Sequence, residues 1–289
     1  MSGPLRLGPV ELEAGSFGVM AVINRTPDSF FDRGATYAFG AALEAVDRAV
    51  AEGADIVDIG GVKAGPGDEV GVAEEIRRVA GLVAAVRDRY PHVAISVDTW
   101  RSEVGKVVAE AGADLLNDTW GGADPRLAEV AATYRTGLVC AHAGGLQPRT
   151  RPHRVAYRDV VTEVAAHLTA LAERAVATGA RPDGILIDPA HDFGKNSWHS
   201  LQLTRRLDVL AATGWPVLAA VADKDFIGES LDQPPRGRGI GTIAALAVSA
   251  WQRARVFRVH DVAAARQALG AVAAMRGGPV ACSRFPAGR

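Results

Sequence analysis

The sequence predicts a single α/β domain built as a (β/α)8 TIM barrel, and three observations carry that prediction. Short runs rich in Val, Ile and Leu recur down the chain, each followed by a stretch of helical periodicity, the pattern of parallel strands joined by crossover helices. Eight such pairs fit within roughly 250 residues, the usual length of this barrel. The 289 residues are 48% hydrophobic and 22% charged, enough to bury a large core. A doubly wound open sheet is the alternative, but it normally has fewer strands and a Gly-rich turn after the first one, and no GxGxxG follows here.

Taken in order, residues 1–15 contain LRLGPVELE with a Gly-Pro turn and predict a short hairpin that closes the barrel bottom. The eight predicted strands are 17–24 (FGVMAVIN), 55–60 (DIVDIG), 94–99 (AISVDT), 115–119 (LLNDT), 137–142 (GLVCAH), 185–189 (ILIDP), 216–222 (PVLAAVA) and 256–261 (VFRVHD). Helical periodicity fills the gaps, for example over 41–53, 72–89, 102–112 and 263–277. Gly53, Gly112 and Gly179 punctuate helix ends, and Asp124-Pro125 opens another helix. The barrel is expected over 16–277, with 278–289 as a flexible tail.

Composition excludes several classes of function. Lys+Arg of 32 against Asp+Glu of 33 gives a net charge of -1 without a basic block, which argues against nucleic-acid binding. Cys140 and Cys282 stand far apart with no CxxC pair, so neither a disulfide framework nor a thiolate metal site is expected. There is no signal-peptide pattern and no run of 18 apolar residues, and the expectation is a cytoplasmic protein without a membrane partner.

In such a barrel the site forms at the C-terminal strand ends. Those ends carry Asn24, Asp98, Asn117, Asp118, His142, Asp188, Lys224, Arg258 and His260. Any one Asp or Asn there could merely cap the next helix. Arg258 and His260 alternate with Val259, so both face one way, inward. Two readings of that pair stay open: a grip for phosphate oxygens, or a structural salt link to a neighbouring carboxylate. Carboxylates and amides suit a heterocycle with adjacent N–H groups, and cations suit phosphate. Asn24, a neutral oxygen donor beside such a site, could ligate Mg²⁺.

The strings VMAVINRTPDSFFDRG (19–34), GADIVDIGG (53–61), ISVDT (95–99), GADLLNDTWGG (112–122), ILIDPAHDFGKN (185–196), AAVADKDFIGE (219–229), RGIGT (238–242) and FRVHD (257–261) resemble dihydropteroate synthase over essentially the whole chain. That resemblance implies condensation of p-aminobenzoate with a dihydropterin pyrophosphate. It assigns Asp98, Asn117, Asp188 and Lys224 to the pterin ring, and Arg258, His260 and Asn24 to the pyrophosphate and Mg²⁺. It also places Phe193 in the p-aminobenzoate pocket and makes Lys224, Arg258 and His260 the catalytic set. Members of the family commonly form homodimers, and the Ala-rich face after the eighth strand (Ala263, Ala264, Ala268, Ala271, Ala274) would allow close packing, either between copies or, the more frequent use of such a face, on the barrel itself.

Departures from the pattern cluster in the outer wall. Where the family's loop after the second strand reads Gly-Glu-Ser-Thr-Arg-Pro-Gly, this chain has Gly61, Val62, Lys63, Ala64, Gly65, Pro66 and Gly67. Ala64 has no hydroxyl and Gly65 no guanidinium, leaving Lys63 as the one substitute. Arg25, Phe31, Arg33, Ala143, His191, Asp192, Ala222 and Asp223 also depart, and Arg25, Ala222 and Asp223 are expected where p-aminobenzoate would sit. A pterin-binding homologue with little or no synthase activity, resembling a diverged second paralogue, is the leading expectation. An active synthase is the alternative, and a non-catalytic pterin or methyl-pterin module the third reading.

Overall fold

The computed structural model describes residues 3–27, 34–150 and 156–278. Phe31, Arg33, Cys282 and nearly all of the expected tail lie outside them. Two short strands, β1 (Leu5–Leu7) and β2 (Val10–Leu12), form the antiparallel hairpin expected at the N-terminus. Eight parallel strands follow: β3 (Gly18–Asn24), β4 (Ile56–Gly60), β5 (Ala94–Asp98), β6 (Leu115–Asp118), β7 (Gly137–Ala141), β8 (Ile185–Asp188), β9 (Leu218–Ala219) and β10 (Val256–Val259). They run in the order β8-β7-β6-β5-β4-β3-β10-β9. The ring closes where Ile187 bridges Val217 and its amide donates to Pro216 O at 2.9 Å. This is the predicted barrel.

Ten helices wrap it: α1 (Phe39–Ala51), α2 (Val72–Arg89), α3 (Ser102–Glu110), α4 (Arg126–Tyr134), α5 (Val160–Ala177), α6 (Ser197–Arg205), α7 (Leu207–Ala211), α8 (Asp225–Leu231), α9 (Gly239–Trp251) and α10 (Val262–Met275) among the described residues. Outward residues such as Val19, Ile59, Val97 and Phe257 pack beneath them in one continuous core. Inward residues make a separate floor of Met20, Ile56, Ala94, Leu115, Val139, Leu186, Leu218 and Val256. Leu5, Leu7 and Leu12 of the hairpin plug that floor from below. Arg255 pins the plug, donating to Leu12 O at 2.8 Å, Glu13 O at 2.7 Å and Gly3 O at 3.1 Å.

Two residues further along the same strands, and therefore on the same face, the floor gives way to Asp58, Ser96, Asn117, Asp188 and Arg258. The period of two thus converts an apolar plug into a polar layer, and this layer positions the site. Several predicted strands overrun the observed ones, most of all at 216–222, where only Leu218 and Ala219 are in the ladder. The chain leaves the sheet there, and Asp223 adopts φ 54 in the turn.

Candidate ligand-binding site

A cavity of about 440 Å³ opens at the C-terminal ends of the strands. Asn24, Asp98, Asp188, Phe193, Lys224, Arg258 and His260 line it, so seven of the eight residues expected in the site converge on one mouth. Asn117 is not on the wall. It lies fully buried one layer down, where its Nδ2 donates to both oxygens of Asp58 at 3.3 and 3.2 Å.

Asp58, which sequence reasoning passed over, is the hub of that layer. Fully buried, it accepts from Ser96 Oγ at 2.6 Å, from Asn117, and from Arg258 Nε at 2.7 Å. Arg258 Nη2 donates to Asp98 Oδ2 at 3.1 Å, while Thr119 Oγ1 donates to Asp98 Oδ1 at 3.1 Å. The salt link to carboxylates, one of the two readings open for Arg258, is present: Asp58 and Asp98 hold the guanidinium, while the residue still lines the cavity. A charged residue at the centre of the apolar run IVDIG was the available signal for Asp58.

Burial raises the carboxyl of Asp98 to about 7, with the Arg258 cation pulling the other way. Asp188 is raised too, chiefly by burial, although its Oδ1 accepts from Ala190 N at 2.7 Å. Burial lowers Lys224, opposed by Asp192. Its ammonium lies 5.0 Å from the centre of the Phe193 ring, which in turn meets Trp120 edge-on at 5.3 Å. The cavity is therefore lined by carboxylate, amine and guanidinium groups together with an aromatic pair, and the amine lies against the aromatic face.

The outer wall is made of Val62, Lys63, Ala64, Gly65 and Pro66 from the loop after β4, with Leu146 and Thr150 from the loop after β7. Arg149 ties these loops together, donating to Asp68 O at 2.6 Å and to Gly65 O at 3.4 Å. Ala222 and Asp223 line the cavity. Arg25 does not: it turns away and is buried, donating to Tyr37 O at 2.7 Å and Arg78 O at 2.6 Å. The expectation that Arg25 stands in a second-ligand pocket is corrected by these bonds, because three backbone-directed N–H donors hold it behind the wall. His142 and His191 are also buried, and burial lowers both to about 3, so each is neutral at physiological pH.

No group of three or more His, Cys, Asp or Glu side chains converges among the described residues. Asn24 supplies one neutral oxygen, and the carboxylates of Asp58 and Asp98 are engaged by Arg258. This donor set does not fit a resident Mg²⁺, which needs carboxylates or substrate phosphates beside its waters.

The fold and this mouth define the class, and the chain belongs to the family of pterin binding enzymes, whose model matches residues 20–260. Within it the chain is a homologue of dihydropteroate synthase. "Inactive dihydropteroate synthase 2" of Mycobacterium tuberculosis (strain ATCC 25618 / H37Rv) is 55% identical over 263 residues, covering 90% of this chain and 83% of the relative. The Yersinia pestis dihydropteroate synthase in a sulfonamide drug complex superposes with a TM-score of 0.89 at 34% identity, covering 95% of this chain and 99% of that one. The Xanthomonas albilineans dihydropteroate synthase with 4-aminobenzoic acid gives a TM-score of 0.86 at 35% identity, over 96% and 100%.

Proposed function

We propose that the protein binds a (dihydro)pterin in the inner half of the cavity and makes little or no dihydropteroate. The observation that carries the reading is the division of the mouth. Asp98 and Asp188 at the ends of β5 and β8, and Lys224 ahead of α8, line the cavity together, whereas the loop after β4 presents Ala64 and Gly65, which offer no side-chain donor. A buried carboxylate matched to paired N–H donors recognises a pterin's amidine edge with strong, charge-assisted bonds. Asp188 is the proposed acceptor of that pair. Asp98 and Lys224 would meet the remaining ring heteroatoms, with Asn117 supporting through Asp58.

Transfer to p-aminobenzoate would require the developing charge on departing pyrophosphate to be met by groups already in place. Arg258 is the proposed anion grip with His260, and to serve it must first leave Asp98. The loop's missing Thr and Arg remove further stabilisation specific to the transition state. The name of the Mycobacterium relative supports this reading, and the Xanthomonas enzyme, solved with 4-aminobenzoic acid, supports the class of second ligand. Phe193 would face such a second ligand here. Asn24 would meet Mg²⁺ only if a diphosphate carried the ion in.

Titrating the protein with a dihydropterin pyrophosphate, then assaying dihydropteroate with p-aminobenzoate, tests both halves. Binding without product is expected, with Asp188→Ala abolishing binding. Turnover of about 1 to 10³ s⁻¹, the ordinary enzyme range, would replace this reading with that of a working synthase. Equal pterin affinity in wild type and Asp188→Ala would remove it altogether.

A homodimer in the cytoplasm remains part of the proposal. Helix α9 shows an apolar stripe to solvent, with Ile240, Val248 and Trp251 exposed, and it packs against α10. This stripe, rather than the half-buried Ala-rich face of α10, fits an interface between copies. No described helix is long and apolar enough to cross a membrane.

A further inference from the structure

Behind the aromatic wall lies a lysine that neither the pterin half nor the outer loop uses. The loop joining β8 to α6 carries Asp192 and Phe193 to the cavity, and it does so through Ala190, Asp192 and Gly194 in left-handed backbone at φ 48, 69 and 59. Two of these are non-glycine residues in a conformation they seldom adopt unaided, so something must hold the loop. Lys195 is buried, and its Nζ lies 2.8 Å from His142 O, 2.8 Å from Phe193 O, 3.2 Å from Ala190 O and 2.9 Å from His142 Nδ1. Tyr157 adds a bond from its hydroxyl to Gly194 O at 2.9 Å.

We propose that Lys195 is a positioning residue whose ammonium clamps this loop, so that the placement of Phe193 and Asp192, and with it the outer half of the cavity, depends on the Lys195 charge. The part of this that concerns a second ligand rests on the function proposed above; the clamp itself does not. Three carbonyl oxygens and a neutral imidazole form a shell suited to a cation with three donors and no acceptor. A neutral amine has two donors and a lone pair, so even where the Nδ1–H tautomer of His142 donates to that lone pair, one of the three carbonyl oxygens is left without a donor.

Burial draws the ammonium down to about 7. The charged and titratable groups facing it are Asp188 at the end of β8 and Asp192 and His191 on its own loop, with Lys224 ahead of α8. His142 follows β7, His167 lies on α5 and His199 on α6. The two carboxylates favour the charged form and Lys224 opposes it. Raising pH through this range discharges the clamp, and lowering it restores the clamp.

Two readouts test this in the ligand-free full chain. Amide exchange of residues 189–196, corrected for its intrinsic pH dependence, should be at least tenfold less protected at pH 8.5 than at pH 6, while β8 stays unchanged. Trp120, in contact with Phe193, should report the same event as a fluorescence transition near pH 7 that disappears in Lys195→Met and in Trp120→Phe. Asp118, which accepts from the Trp120 amide, and Asp98, which accepts from Thr119, are also raised to about 7 by burial, so a transition persisting unchanged in folded Lys195→Met would assign it to these carboxylates and overturn the proposal. Equal loop protection at the two pH values would overturn it as well, and that measurement needs no variant to fold. Should pterin binding be absent while the loop still loosens above pH 7, the proposed function fails and the clamp stands.

Discussion

Arg258 shows how a single side chain can be committed to two uses. Its guanidinium is half-buried at the cavity floor and paired with Asp58 and Asp98. Removing one partner leaves a buried charge only partly matched, so Asp58→Ala is expected to cost roughly 3–5 kcal/mol in urea unfolding, the range for broken buried pairs. Asp98 yields a pH prediction. Its folded carboxyl holds a proton up to about 7, well above the ordinary range near 4, so pterin affinity should fall as pH drops through 7. Asp98→Asn should flatten that dependence in a binding titration. The same shift means the folded state holds more protons than the unfolded one between about 4 and 7, so this group's contribution to stability rises on acidification. Loss of binding there would then not be unfolding by way of Asp98.

Among the elements, the loop after β4 carries the most decisive change. Gly65 has only Lys63 Cε within reach of an added Cβ, at 3.7 Å, and its backbone is not left-handed, so it can accept a side chain. Val62 is buried, and a carboxylate there would need a partner. The double variant Ala64→Thr with Gly65→Arg should therefore raise any residual dihydropteroate formation, by at most about 10²-fold per restored donor. Asp98→Ala should not be rescued by it. Arg149→Ala, which removes the tie to Gly65 and Asp68, is expected to increase proteolytic cleavage within residues 62–71 and leave that in α2 unchanged.

For the whole molecule, the hairpin plug links the N-terminus to barrel integrity. Leu5 and Leu7 are completely buried against the floor, so Leu7→Ala should lower stability by about 2–5 kcal/mol, read from chemical denaturation. Pterin affinity, measured on the fraction still folded, should change little, because the plug lies a full layer of polar side chains below the mouth. The loss would appear as one cooperative transition if the floor and outer core unfold together.

By itself the sequence determined the barrel, because eight repeats of strand and helix periodicity are local patterns that leave few ways to bury their apolar faces. It also determined which residue types stand at the strand ends, since a period of two carries each inward residue from the floor to the mouth. Only the tertiary structure decided which of them touch. Asp58 and Arg258 are separated by 200 residues, and nothing local in IVDIG or FRVHD says that one holds the other. Asn117 was read as a wall residue and lies beneath it, because the stagger of neighbouring strands sets depth. Arg25, expected to face the cavity, faces the carbonyls of Tyr37 in its own loop and of Arg78 in α2. Lys195 passed as part of a matching string, since the acceptors that define it come from two separate loops. Periodicity fixes the face on which a side chain lies, and long-range packing fixes its partner and its charge.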